Sequence, residues 1–392
     1  MNEKMIPFNY KKILENIQQK GLNRHELIRN VPSNPSHIII DGKELINLSS
    51  NDYLGLSNHP SIINALCDSA KNWGAGAGAS RMVCGTTSLH RNLEKKLSEF
   101  TETESCLLFN SGYMANIGII STLSRENDII FSDKLNHASI VDGCRLSKAK
   151  VKIFNHLDIN HLESLLQEEK NSPGGKIIIT ETTFSTDGDE APLEEINAIA
   201  ERYGAILIID EAHSFGIKGK SGAGLASNLK QKSENLVIMG TLGKSAGVHG
   251  AFVCSKEWVR DFLINTSRTF IYTTAPPPAV AGAVTKAIEI IEGKEGERLR
   301  QKLRENCKKI KEILNRCGLI CKTGGPIFSI RIGDPFKAVK IERDLREEGI
   351  LIRAMRYPTV PEGSEMLRIV VNAALSDEDI EKVHNAFKLV KV

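Results

Sequence analysis

Lys244, in "MGTLGKSAGVHG" (239–250), follows an apolar run by a few residues, and two kinds of chemistry use a lysine so placed. One is phosphate binding by a loop of the form G-x-x-x-x-G-K-[ST], whose first glycine lets the backbone wrap the phosphates. Counting back from Gly243 and Lys244, that first position is Ile238, so the loop cannot form in its usual way. "DEAH" at 210–213 is similar to the acidic magnesium-binding motif of some helicases, but without the loop it has no nucleotide to serve. The other chemistry is covalent: a lysine amine holding an aldehyde cofactor as a Schiff base.

The surrounding residues fit the second chemistry in its pyridoxal phosphate (PLP) form, which needs the lysine and an acid paired with the pyridinium nitrogen. Asp210 closes the apolar run "AILIID" (205–210), so its carboxylate is expected at the carboxyl end of a parallel sheet, where α/β sheets bind ligands. His213, three residues on, is spaced to bond the cofactor's phenolic oxygen. Ser111, Gly112 and Tyr113, in "FNSGYMANIG" (109–118), fall between a strand and a helix, where free N–H groups favour a phosphate. Thr241 and Ser185 add hydroxyls near strand ends, and either Tyr113 or His137 could stack on the ring. Taken singly, a strand-end aspartate is more often a cap, and a histidine such as His137 is more often structural. The combination carries the reading.

These residues must be positioned by a sheet. Between about 60 and 255, short apolar runs alternate with helical patterns: "SCLLFN", "DIIFSD", "VKIFNH", "KIIITE", "AILIID", "NLVIMG" and "GAFVCS". Continuous apolar strands separated by helices predict a mostly parallel sheet covered on both faces. Only ten residues separate the last two runs, too few for a usual parallel crossover, so the final strand is expected to be antiparallel. Residues 10–30 read as an amphipathic helical segment and "VPSNPSH" as a linker, before a hairpin "HIIIDGKELINLSS" turning at Asp41 and Gly42. Residues 276–318 read as long helix. Beyond them "FSIRI", "ILIRAM" and "LRIVVN", with two helical patterns, read as a small α+β domain. The expected division is an N-terminal segment (1–57), a large domain (58–290) and a small one (291–392).

Composition excludes several classes. The 392 residues are 41% hydrophobic and 25% charged, with a net charge of +3 and no basic tract, which gives no case for nucleic acid. No stretch is apolar enough to span a bilayer, and "MNEKMIPFNYKKILENI" lacks the apolar core of a signal peptide. The eight cysteines form no C-x-x-C pair, which gives no metal site and suits a reducing cytoplasm.

Motifs along nearly the whole chain, from "NLSSNDYLGLSNHP" (47–60) through "SRMVCGTTSLHRNLE", "FNSGYMAN", "NHASIVDG", "FSTDGDEAPL", "DEAHSFGIKG" and "GTLGKSAG" to "RYPTVPEGSEMLR", resemble those of the α-oxoamine synthases. These are PLP enzymes of fold type I that condense an amino acid with an acyl thioester and release carbon dioxide. The resemblance implies an α/β fold with a mostly parallel seven-stranded sheet, and places the PLP lysine at Lys244, the pyridinium aspartate at Asp210, the phenolate histidine at His213 and the stacking histidine at His137. It puts phosphate contacts at Gly112, Tyr113, Ser185 and Thr241. It also puts Thr273 and Thr274, in "IYTTAPPP", against the phosphate of a neighbouring subunit, which implies a homodimer. Asn51 and Arg368 match substrate-carboxylate residues, and Arg356 and Thr359, in the same C-terminal motif as Arg368, are further candidates for binding substrate, as is Arg24. Arg24 lies where an arginine of the first helix is common, the alternative being a solvated one. "SSNDYLGLSNHP", "STDGDEAPL" and "RYPTVPEG" are most similar to the branch that joins L-alanine to a pimeloyl thioester for biotin. The branch that joins glycine to acetyl-CoA shares the lysine, aspartate and histidines. Two positions depart from the family pattern: Ala79 replaces a glycine and Leu375 a histidine.

Overall fold

A computed structural model describes residues 9–29 and 34–390. Among the described residues thirteen strands form three sheets: β1 (His37–Ile40), β2 (Lys43–Asn47), β3 (Ser105–Phe109), β4 (Ile129–Asp133), β5 (Lys150–Phe154), β6 (Lys176–Glu181), β7 (Ile206–Asp210), β8 (Leu236–Thr241), β9 (Ala251–Ser255), β10 (Ile327–Arg331), β11 (Ile350–Leu351), β12 (Arg353–Met355) and β13 (Met366–Val370). The seven apolar runs make the large sheet, in the order β3-β9-β8-β7-β6-β4-β5. Strands β5, β4, β6, β7 and β8 pair in parallel, and β9 pairs antiparallel with both β8 and β3, as the short connection requires.

The central strands are apolar on both faces because both faces are covered. Ile178, Leu207 and Ile209 face one buried cluster, while Ile177, Ile179 and Ile208 face another. Burying a side chain of this size is worth roughly 1.5–3 kcal/mol, so the sheet is the rigid part of the molecule. The helix Leu193–Tyr203 illustrates how the crossovers are punctuated: Glu194 and Glu195 sit in its first turn, and Gly204 ends it in the left-handed conformation at φ 60°.

The expected hairpin forms, with Asp41 and Gly42 at φ 52° and 76° in its two-residue turn. Two expectations are corrected. The N-terminal helix spans only Tyr10–Gln19, because Gly21, at φ 65°, breaks it; residues 22–29 are irregular and 30–33 of the linker lie outside the described residues. The run "ILIRAM" is two strands, not one: β11 adds in parallel to β2 of the hairpin, whereas β12 pairs with β13. Ile352, fully buried between them, is the residue at which the chain changes sheets. The N-terminal hairpin is thereby joined to the C-terminal region.

Candidate active site

The carboxyl ends of β6, β7 and β8 carry Glu181, Asp210 and Thr241, and Lys244 follows β8 by three residues. Together with Gly112, Tyr113, Asn116, His137, Ser139, Ala212, His213 and Met239 they line a cavity of about 200 Å³. The turn after β8 is shaped by Gly247 at φ 68°, where a Cβ would stand 2.4 Å from the Ser57 nitrogen. Only glycine lets the lysine turn pack this closely on the N-terminal segment.

Lys244 is half-buried in the wall of this cavity. Burial lowers its ammonium pKa to about 8 against the opposing pull of Asp210 and Glu181, and Arg368 lowers it further. Its Nζ lies 2.8 Å from His213 Nε2, and His213 Nδ1 lies 2.5 Å from the Tyr53 hydroxyl. Burial holds the His213 pKa well below the usual range, with the positive charges of Lys244 and Arg368 acting the same way, so the ring is neutral. Asp210 is fixed through both oxygens: Oδ2 accepts from Asn116 Nδ2 at 2.8 Å, and Oδ1 accepts from the Ala212 N–H at 2.8 Å. Its carboxylate cannot swing away.

His137 caps the helix Ala138–Leu146, with Nδ1 accepting from the Ser139 N–H at 3.2 Å and 2.8 Å from the Ser139 hydroxyl. Its ring, kept neutral by burial, lines the cavity. Ser111 caps the helix Gly112–Leu123 by accepting from the Met114 N–H at 3.2 Å. The Gly112 and Tyr113 N–H groups sit in the first turn, where they have no partner within the helix and suit an anion. Tyr113 also bonds Asp142 through its hydroxyl, and Thr241 accepts from the Gly243 N–H at 3.3 Å.

Arg368 projects from β13 and is buried. Its Nε donates to the Ser185 carbonyl at 2.7 Å and its Nη2 to Asn51 Oδ1 at 3.1 Å. Ser185, His137 and Thr359 line a second, larger cavity of about 1350 Å³ alongside. Arg24 is exposed and lies beyond the helix, donating to the Tyr357 carbonyl and Thr359 hydroxyl at 3.3 Å each. Arg356 spends its guanidinium on the backbone carbonyls of Gly21 and Asn23, tying down the N-terminal segment. Thr273 and Thr274 line neither cavity; Asn110 Nδ2 donates to the Thr273 hydroxyl at 3.1 Å and to the Thr274 carbonyl at 2.8 Å.

The sequence reading does not name Glu181, Asn116 or Tyr53, nor Ser139, Ala212 and Met239 of the lining. Glu181 sits opposite Asp210 in the β6–β7 register, and the strand-end logic applied to Asp210 would have found it. Asn116 lies one turn into the helix after Ser111, a spacing that signals its reach toward the strand ends. Tyr53 gives no signal, because only folding brings it to His213.

The constellation fits PLP. It offers a lysine amine of lowered pKa, a fixed carboxylate, a neutral imidazole and a helix N-terminus around one cavity. Two buried polar atoms of the lining, Asn116 Oδ1 and Glu181 Oε1, have no partner within the described residues. The family model for class I and II aminotransferases matches residues 43–387. The chain belongs to that family. Within it, the relatives are α-oxoamine synthases. An 8-amino-7-oxononanoate synthase of Thermoanaerobacter pseudethanolicus is 42% identical over 97% of this chain and 96% of its own. One from Geobacter sulfurreducens is 40% identical over 94% of each. Among solved structures, a serine palmitoyltransferase variant of S. paucimobilis with bound PLP and myriocin superposes with a TM-score of 0.91, at 28% identity, covering 99% of this chain and 98% of that one. An 8-amino-7-oxononanoate synthase of Francisella tularensis gives 0.74 at 30% identity, covering 88% and 97%. The fold is therefore that of the fold type I PLP enzymes, as the motifs implied.

Proposed function

We propose that the chain is a PLP-dependent acyltransferase that condenses L-alanine with a pimeloyl thioester, of CoA or a carrier protein, to give 8-amino-7-oxononanoate and carbon dioxide in biotin biosynthesis. The observation that carries the chemistry is the Lys244–His213 contact beside the clamped Asp210. The relatives' names carry the substrates.

PLP, when bound, withdraws electrons from the amino acid's Cα. Lys244 would hold the cofactor covalently through its amine, and the same amine, when free, would take the Cα proton. A pKa near 8 leaves a useful fraction of it unprotonated at neutral pH. Asp210 would keep a proton on the pyridine nitrogen, and the Asn116 and Ala212 donors keep Asp210 in place. His213 would bond the phenolic oxygen and His137 would lie against the ring. The Gly112 turn, with Tyr113 and Thr241, would receive the phosphate, whereas Ser185 lines the larger cavity beside Arg368. Arg368 and Asn51 hold the substrate carboxylate, and the large cavity lined by Ser185 and Thr359 admits the thioester.

We extend the reading to a cytoplasmic homodimer with shared active sites. Thr273 and Thr274 lie away from their own chain's Lys244 cavity, and Thr274 bridges to Ser80. Met82, Val83 and Tyr272, on the two segments so joined, are 50%, 78% and 72% exposed, an apolar surface that suits a second copy of the chain. The eight unpaired thiols suit a reducing compartment. Among the described residues no helix is long and apolar enough to cross a membrane.

The test is thiol release by PLP-loaded protein, comparing L-alanine plus pimeloyl-CoA with glycine plus acetyl-CoA. Turnover of the first pair alone supports the reading. Preference for the second would replace the substrates and keep the Lys244 chemistry.

A further inference from the structure

His156 is absent from the mechanism, yet it is held at both ring nitrogens. It lies in the turn after β5, with Nδ1 2.9 Å from Asp133 Oδ1 and Nε2 3.2 Å from Asp189 Oδ2. Phe184 packs edge-on at 4.5 Å between ring centroids. The turn is forced into this geometry: Leu157 adopts φ 57°, unusual for a leucine, and its N–H donates to Asp133 Oδ2 at 3.0 Å. Asp133 ends β4 four residues before His137, and its carbonyl accepts from the Asn136 N–H at 3.2 Å. Asp189 lies four residues after Ser185, whose carbonyl receives Arg368.

We propose that His156 is a positioning residue, a doubly bonded cation that locks the segment bearing His137 against the segment bearing Ser185 and so fixes the amino-acid end of the site. The proposal rests on the function read above. With a carboxylate at each nitrogen, both ring nitrogens donate, which only the imidazolium can do. Burial alone would lower its pKa, but Asp133 and Asp189 together raise it to about 9. The other charged groups nearby are Asp187, paired with Lys322 at 3.0 Å, and Lys134, next in sequence to Asp133; from the following helix, His161 accepts the Asn155 N–H through Nδ1. Since the folded pKa is raised, the stabilisation is complete below the ordinary imidazole range and is lost as pH rises through about 9.

The experiment uses PLP-loaded protein and reads L-alanine binding from the cofactor's absorbance, with thioester KM measured separately and the His156 imidazole followed by NMR. His156→Gln is expected to bind L-alanine about tenfold or more weakly, because misplacement near 1 Å is that costly, with thioester KM changed far less. His156→Arg, which offers donors to both carboxylates at every pH, should restore binding and abolish the affinity step near pH 9 that the wild type shows. Asp189→Asn, which keeps the Asp133 contact, should give a smaller loss in the same direction and serves if His156→Gln fails to fold. A neutral His156 at pH 8, or a His156→Arg variant no better than His156→Gln, overturns the proposal. If the wild type binds glycine and not L-alanine, the substrate reading falls, and the same comparison with glycine still decides the role of His156.

Discussion

The Lys244 amine is bonded to a neutral His213, not to a carboxylate. The direction of the whole chain of hydrogen bonds follows from this. Lys244 donates to His213 Nε2, which leaves Nδ1–H to donate to the Tyr53 oxygen; the Tyr53 hydroxyl, its pKa pushed up to about 12 by burial, donates to Asn51 Oδ1 at 3.3 Å. Asn51 Oδ1 also receives Arg368. The covalent end and the carboxylate end of the site are thus parts of one network.

Removing the lysine separates catalysis from stability. Lys244→Ala is expected to lose more than ~100-fold in kcat, since nucleophile and base disappear together. In cofactor-free protein it should nevertheless melt higher than the wild type at pH 7. A base whose folded pKa is depressed to about 8 opposes folding while it is protonated, and that penalty fades as pH rises through 8 toward the ordinary lysine range. Differential scanning calorimetry at pH 7 and pH 10 should show the gap narrowing.

Asp210→Asn should lower kcat by on the order of 100-fold or more while the protein still takes up PLP, because a neutral amide cannot hold the pyridinium proton. Asn116→Ala should cost less, about tenfold, since it only frees Asp210 Oδ2. Equal losses in steady-state kinetics would mean that Asp210 acts through its fold contacts.

Glu181 offers a sharper contrast. Its carboxyl is buried, and burial and the adjacent Asp210 raise its pKa well above the usual range, which favours the neutral acid. Glu181→Gln, shaped like the neutral acid, should keep most of the activity and Tm. Glu181→Ala should lower Tm, because the Ser185 N–H loses its acceptor. A Gln variant as damaged as the Ala variant would show that the ionised form matters.

Arg368→Ala should raise the L-alanine KM far more than the thioester KM. Arg368→Lys should rescue little, since one ammonium cannot span the Ser185 carbonyl and Asn51 and still face a substrate.

Mixing inactive variants tests the shared site. Lys244→Ala and a Thr273→Ala/Thr274→Ala double variant, unfolded and refolded together, should regain activity through mixed dimers that hold one intact site. No recovery, with mixed dimers present by native mass spectrometry, would confine the threonines to their own subunit.

Much of the sheet was legible because its strands are continuous apolar runs whose short connection betrayed the antiparallel β9. Strand ends were legible too, and with them the places of Asp210, Lys244 and the Ser111–Tyr113 turn, because a residue's distance from the end of its own strand is local. "ILIRAM" read as a single strand because its apolar pattern is unbroken; the change of sheet at Ile352 depends on the distant partners β2 and β13.

The sequence by itself determined the chemistry: an amine, a carboxylate and imidazoles at one edge of a parallel sheet. The tertiary structure decided which of them touch. Tyr53 meets His213 across 160 residues and Arg368 meets Asn51 across 317, while Arg356 turns to the Gly21 and Asn23 carbonyls. Periodicity reports which face a side chain takes on its own element. Which distant donor meets which acceptor is set only when those elements pack.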